Sequence, residues 1–126
     1  AVDVGSAHLY PEHWGWSEVE EAGVAWIRDR ARRAAAVGRP LIVGELGLQN
    51  DGLPLAERRR IYARWLDAAR AEPGVAGVCT WSFSTDDRPD DWDAYTWTWR
   101  DGTTPDDPTN RYAALHQRQA ARWAAP

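Results

Sequence analysis

The sequence predicts an α/β fold in which strands alternate with helices around a parallel sheet. Three observations carry this reading. The run Leu41-Ile42-Val43-Gly44 is apolar and follows the punctuation Gly38-Arg39-Pro40, which is how a strand buried on both faces reads. Two further strand-like runs flank it, Val2-Asp3-Val4-Gly5-Ser6-Ala7 and Val75 to Phe83. Segments of helical period separate the three, in units of roughly forty residues, and such alternation implies parallel strands joined by right-handed crossovers.

The first strand, Val2 to Ala7, leads into the turn His8-Leu9-Tyr10-Pro11, and a polar, aromatic loop runs from Glu12 to Trp16. Ser17 with Glu20 has the spacing of a capping box, so a helix opens there and firms up near Glu21. Ala22, Ala25, Trp26, Ala31, Ala34 and Ala35 fit its apolar stripe, and Arg28, Arg30, Arg32 and Arg33 its wet face. Gly38 suits the C-cap. The second strand runs from Pro40 to Gly44, and the loop from Leu46 to Leu53 has turn chemistry at Asn50-Asp51-Gly52. Pro54 starts the second helix, whose buried face is Ile61, Tyr62, Trp65, Leu66 and Ala69; Pro73-Gly74 ends it. The third strand closes on Trp81-Ser82-Phe83. A long acidic and aromatic loop extends as far as Asp107, and Pro108 and Asn110 introduce a last helix with Tyr112, Leu115 and Trp123.

At 126 residues the chain is one domain or less. Its hydrophobic fraction of 44% suffices for a core, and a net charge of −4 argues against nucleic acid as a partner. No stretch approaches the ~18 apolar residues of a transmembrane helix. The lone Cys79 excludes an internal disulfide and, in an apolar run, is expected as a buried thiol. All 15 basic residues are Arg, which points to GC-rich coding more than to mechanism. The 9 Trp are too many for a small core, and the surplus points to flat aromatic binding surfaces.

Three βα units do not close a barrel. An eightfold barrel takes about 250 residues, so the chain is expected to be half of one or less. Its first and third strands would be apolar parallel edges, which folded proteins avoid or cover. Something upstream, or another chain, is expected to complete it. The chain opens at Ala1 with neither an initiator Met nor a signal peptide, which reads as a processed or excised piece.

Glu45 is the residue that most invites a functional reading. It ends the second strand, and in barrel and open α/β folds the crevice beyond the strand ends holds ligands and catalytic groups. The alternative is a capping or ion-paired Glu in a turn. His8 and Tyr10 end the first strand and Trp81 the third, so four groups suited to a sugar crevice share one edge of the sheet. Singly, each has a structural alternative: a bonded His, a core Tyr, a Trp filling the floor. His13, in a loop, and His116, on a helix, make weaker claims.

These residues carry a resemblance. His8-Leu9-Tyr10-Pro11 with Trp14-Gly15, then Arg39-Pro40-Leu41-Ile42-Val43-Gly44-Glu45-Leu46-Gly47, then Trp81-Ser82-Phe83, resemble the last three βα units of a glycoside hydrolase family 5 barrel, in its endo-β-1,4-mannanase branch. The resemblance runs from Val2 to His116. It implies strands six to eight of a (β/α)8 TIM barrel, a partial barrel in which residues 1–126 are the C-terminal part of the catalytic domain. It implies retaining hydrolysis of β-1,4 bonds in plant polysaccharide, mannan above all. Glu45 matches the nucleophile, Tyr10 the tyrosine bonded to it, His8 the supporting histidine, and Trp81 the platform under the reacting sugar. No cofactor or metal is implied, and the family's location is extracellular. The departure is the general acid/base, which in the family is the Glu of an Asn-Glu pair ending the fourth strand. No Asn-Glu occurs in this chain. The resemblance thus implies an N-terminal half of the barrel as partner, in the same or another chain.

Beyond Phe83, Tyr95, Trp97 and Trp99 alternate with Thr96 and Thr98, so their rings share one side of an extended segment. They suit either outer sugar subsites or a hairpin lid packing its own aromatics, with a turn at Asp101-Gly102. Trp14 and Trp16 are candidate sugar contacts. The acidic run with Asp86, Asp87, Asp90, Asp91, Asp93 and Trp92 lacks the Gly turn and final Glu of a calcium loop and reads as solvated. Two rivals to the enzyme remain open: a non-catalytic carbohydrate-binding half-barrel, and a structural fragment that needs an N-terminal partner.

Overall fold

A computed structural model describes residues 2–49, 52–84, 95–98 and 112–124. The chain forms β1 (Gly5–Leu9), α1 (Val19–Ala36), β2 (Leu41–Leu46), α2 (Leu55–Ala71) and β3 (Val75–Val78), followed by short β4 (Phe83–Ser84), β5 (Trp97–Thr98) and α3 (Tyr112–Ala124). The first three strands make one parallel sheet in the order β1-β2-β3, as the alternation predicts. β4 and β5 pair in parallel as a separate ribbon.

Side-chain parity along β2 decides what the sheet can do. Gly5 to Ala7 pair in step with Leu41 to Val43, but His8 then pairs with Glu45, so Gly44 is an extra residue on β2. Strand side chains alternate faces, and one inserted residue reverses the alternation beyond it. Leu41 and Val43 therefore face the helices, and Leu46 returns to that layer after the bulge; all three are buried in the core. Glu45 falls on the opposite face, beside His8.

α1 and α2 cover the first face. Leu9, Leu41, Val43 and Leu46 from the strands meet Val24, Ile27, Ile61 and Trp65 from the helices. Each large apolar side chain fully buried there contributes about 1.5–3 kcal/mol. The predicted face of α2, Ile61, Tyr62, Trp65, Leu66 and Ala69, is buried as expected. On α1 the expected stripe is partly wrong. Ala25 and Ala35 are exposed, Ala22 and Trp26 are half-buried, and the buried line is Gly23, Val24, Ile27, Ala31 and Ala34. Trp65 sets this rotation. Its indole lies against Gly23, where a Cβ would overlap the ring, and its Nε1 donates to the Glu20 carbonyl at 2.9 Å.

The capping box does not form. α1 starts at Val19 with no side-chain cap, and the Glu20 carboxylate instead pairs with Arg60 and Arg64 of α2. At the other end Gly38 adopts φ +67° just past the last turn, as a C-terminal glycine should. Asp67 of α2 bonds Gln119 and Arg122 of α3. Such solvent-screened surface pairs add little, so packing dominates.

Three further expectations are corrected. β1 starts at Gly5 rather than Val2, because β2 begins opposite Gly5 and offers the earlier residues no ladder partner; Val2 and Val4 are exposed. β3 ends at Val78 rather than Phe83, although Cys79 and Trp81 still donate their N–H groups to the Val43 and Leu46 carbonyls. Cys79, beyond the regular ladder, is exposed rather than buried. Among the described residues no helix is long and apolar enough to cross a membrane.

Candidate active site

Glu45 stands at the centre of the groups that the strand ends bring together. The Tyr10 hydroxyl donates to Glu45 Oε2 at 2.6 Å, and His8 Nδ1 lies 3.3 Å from the same oxygen. A carboxylate that accepts a short O–H bond is held in one orientation, and such charge-assisted bonds are among the stronger ones in proteins. Both contacts fall on Oε2, leaving Oε1 as the oxygen these donors do not use.

A cleft of about 320 Å³ opens over this carboxylate, lined by Tyr10, His13, Glu45, Trp81 and Tyr95. Trp81 is 39% exposed, so it offers ring surface instead of filling a floor. An indole so placed can stack on the apolar C–H face of a sugar. The Trp81–Ser82 peptide is cis, and the Ser82 hydroxyl lies 3.1 Å from that of Thr96 in a buried pair.

The loop after Glu45 is pinned from below. Leu46 and Leu48 are fully buried. The Leu48 N–H donates to the Tyr62 hydroxyl at 3.0 Å, and the buried Arg58 donates to the Leu48 carbonyl at 3.2 Å. Burial pushes Tyr62 up to about 12, offset in part by the Leu48 N–H and by Arg58, so it serves as a neutral phenol. Further along, the Gln49 N–H donates to Glu12 Oε2 at 2.6 Å, and Gln49 Nε2 to the Tyr95 hydroxyl at 3.3 Å.

Of the predicted site residues, the structure gathers His8, Tyr10, Glu45 and Trp81. It puts Trp14 and Trp16 elsewhere. They meet edge to face at 5.0 Å, with Trp26 of α1 6.1 Å from Trp14, and neither lines the cleft over Glu45. Trp14 is exposed, while Trp16 packs against the core. The Trp97 backbone lies in β5; its side chain, Trp92, Trp99, the acidic run and the Asp101-Gly102 turn lie outside the described residues. Sequence reasoning named Tyr95 only as one of three rings for outer subsites or a lid, did not foresee the Glu12 contact with Gln49, and undervalued His13. Tyr95 sits in a loop of many aromatics with nothing to single it out, whereas His13 is five residues beyond His8 on the same strand-end loop, a usable signal. Among the described residues no group of three or more His, Cys, Asp or Glu could hold a metal.

No protein-family profile matches the chain. It is similar to mannan endo-1,4-β-mannosidase A of Podospora anserina, 31% identical over 84 residues that cover 65% of this chain and 20% of that protein. The enzyme of the same name from Aspergillus aculeatus is 28% identical over 111 residues, covering 88% and 24%. The chain thus spans a quarter or less of the length of these curated relatives. Among solved structures, the endo-β-1,4-mannanase of Thermotoga petrophila superposes with a TM-score of 0.74 at 27% identity, over 97% of this chain and 26% of that one. The endo-1,4-β-mannanase of Rhizomucor miehei gives 0.73 at 26%, over 98% and 30%. The parallel βα architecture of this chain is that of these barrels, and the likeness extends across nearly all of it. In sequence and in fold alike, the chain is similar to part of these endo-1,4-β-mannanases.

Proposed function

We propose that residues 1–126 are the C-terminal part of a (β/α)8 catalytic domain, with β1, β2 and β3 as its sixth to eighth strands. The complete barrel cleaves β-1,4 bonds of an extracellular plant polysaccharide, mannan above all, with retention. Glu45 is the nucleophile. The observation that carries this reading is the Tyr10 hydroxyl on Glu45 Oε2, since a nucleophilic carboxylate must be ionised and aimed. His8, on the same oxygen, supports it.

In the first step Glu45 Oε1 bonds to the anomeric carbon as the glycosidic C–O bond breaks. The leaving oxygen takes its proton from a carboxylic acid about 5–5.5 Å away, supplied by the N-terminal part of the barrel. The same group then draws a proton from water, which attacks the anomeric carbon and releases Glu45. Trp81 carries the reacting sugar on its face. Trp14, braced edge-on by Trp16, offers its exposed ring to an outer sugar, and Trp97 and Trp99 are further candidate sugar contacts by residue type.

The test is made in the full-length protein. Mannan, cellulose and xylan are screened with the wild type and Glu45→Gln, and a fluorinated mannosyl inactivator is used to trap the glycosyl-enzyme. Turnover of mannan, a label on the Glu45 peptide, and a loss of at least about a hundredfold in Glu45→Gln are expected. Residual activity above about one per cent with no label would remove Glu45 from the nucleophile's role. Sugar binding with no turnover by the wild type would favour a binding-only half-barrel.

A further inference from the structure

The cleft's one tyrosine from the long loop, Tyr95, does more than form a wall. Its ring meets the Tyr10 ring edge to face, with centroids 4.9 Å apart and planes at 75°. Both rings rest over Gly47, two residues after Glu45. A Cβ at Gly47 would lie 2.5 Å from Tyr10 Cε1 and 2.9 Å from Tyr95 Cδ1, so the slot exists because this residue has no side chain. Gly47 is itself fixed, its N–H donating to the Leu9 carbonyl at 3.0 Å. The far end of Tyr95 is also held: Gln49 Nε2 donates to its hydroxyl, and the Gln49 N–H donates to the Glu12 carboxylate.

We propose that Tyr95 is a positioning residue that wedges the Tyr10 ring into the Gly47 slot and so aims the Tyr10 hydroxyl at Glu45. The chain of contact runs Glu12, Gln49, Tyr95, Tyr10, Glu45. It links the loop beyond β4 to the carboxylate on β2. An aromatic edge-to-face pair constrains a ring in tilt and in translation, and a hydroxyl at the end of a tilted ring moves further than the ring itself. The proposal rests on the functional reading given above, with Glu45 as the reacting carboxylate.

A double-mutant cycle in the full-length protein tests it, with Tyr10→Phe, Tyr95→Ala and the combination assayed on a soluble mannan oligosaccharide. Tyr95→Ala is expected to lower kcat roughly tenfold or more while KM changes about twofold at most. In the Tyr10→Phe background the same change is expected to cost about twofold or less, because there is no hydroxyl left to aim. Gly47→Ala, which closes the slot, should show the same non-additivity. Additive losses overturn the proposal and make Tyr95 a direct sugar contact; so does a kcat untouched by Tyr95→Ala. Should Tyr95→Ala fail to fold, Tyr95→Leu enters the cycle with the same expectations. A wild type without activity on mannan overturns the functional reading and this inference with it. An active wild type with additive variants overturns the inference alone.

Discussion

Tyr10, one residue past β1, donates its hydroxyl to the carboxylate of Glu45 on β2 at 2.6 Å across 35 residues of sequence. The bond joins the ends of β1 and β2, so it forms only when the parallel pairing is in place. A site built this way takes its aim from the sheet and not from a local turn.

Replacing Tyr10 with Phe in the full-length protein should keep the ring in its slot and delete the donor. The expected result is a kcat lowered roughly ten- to a hundredfold, the range of one hydrogen bond to a charged group, with a melting temperature close to wild type. Steady-state kinetics and a thermal scan check both halves. An unchanged kcat would leave His8 as the sufficient partner of Glu45.

Trp81→Ala should weaken oligosaccharide binding and slow turnover together, since a platform under the reacting sugar acts in ground and transition states alike. A drop in kcat/KM on the order of ten- to a hundredfold is expected. Calorimetric titration of a mannan oligosaccharide, run beside the kinetics, separates this from a fold defect. Loss of stability with unaltered kinetic constants would make the indole a packing residue.

Tyr62 gives the protein an alkaline limit. Burial raises its pKa to about 12 in the folded state, against 10.0 for the free side chain, so the folded chain holds this proton more tightly than the unfolded one. The resulting stability is complete below pH 10 and is lost as the pH climbs towards 12, by an amount on the order of 2 kcal/mol. Denaturant titrations from pH 9 upwards should show the decline in the wild type. In Tyr62→Phe the decline should be shallower, even though that variant starts lower for want of the acceptor used by the Leu48 N–H.

The 126-residue chain by itself should be inactive on β-glycans and should self-associate. In the three-stranded sheet β1 and β3 are edges, and the face bearing His8 and Glu45 has no helix over it among the described residues. Unpaired edges recruit further strands, here from another copy. Light scattering on the purified piece is the measurement. A monodisperse monomer would show that the residues beyond Phe83 cover those edges.

Much of this was legible in the sequence because it follows from short-range pattern. The apolar run at Leu41 gave β2, the period of Ile61, Tyr62, Trp65, Leu66 and Ala69 gave the inner face of α2, and punctuation at Pro54 and Pro73-Gly74 gave its ends. The gathering of His8, Tyr10, Glu45 and Trp81 followed from their shared place at strand ends. What failed depended on partners distant in sequence. Glu20 has the spacing of a capping residue, yet two arginines on α2 claim its carboxylate. The rotation of α1 is set by Trp65, which no pattern within α1 reports. Trp14 and Trp16 share a loop with the cleft, yet Trp26 draws them into a separate cluster. Tyr95 acquires its place from Gly47 and Gln49, two residues on another loop.

The extra residue at Gly44 has a consequence for how relatives of this chain can be compared. Were β2 to run through Gly44 without the bulge, strict alternation from Val43 would carry Glu45 into the helix-facing layer, where a charge has no water; the register shift at Gly44 keeps the carboxylate on the face of His8. Close approach explains why the insertion is a glycine: a Cβ there would lie 2.6 Å from Ser6 Oγ and 3.2 Å from His8 Nε2. A relative that carries a side chain at this position must move Ser6 or His8 to keep the same bulge, so the residue before the glutamate reports on the carboxylate's setting.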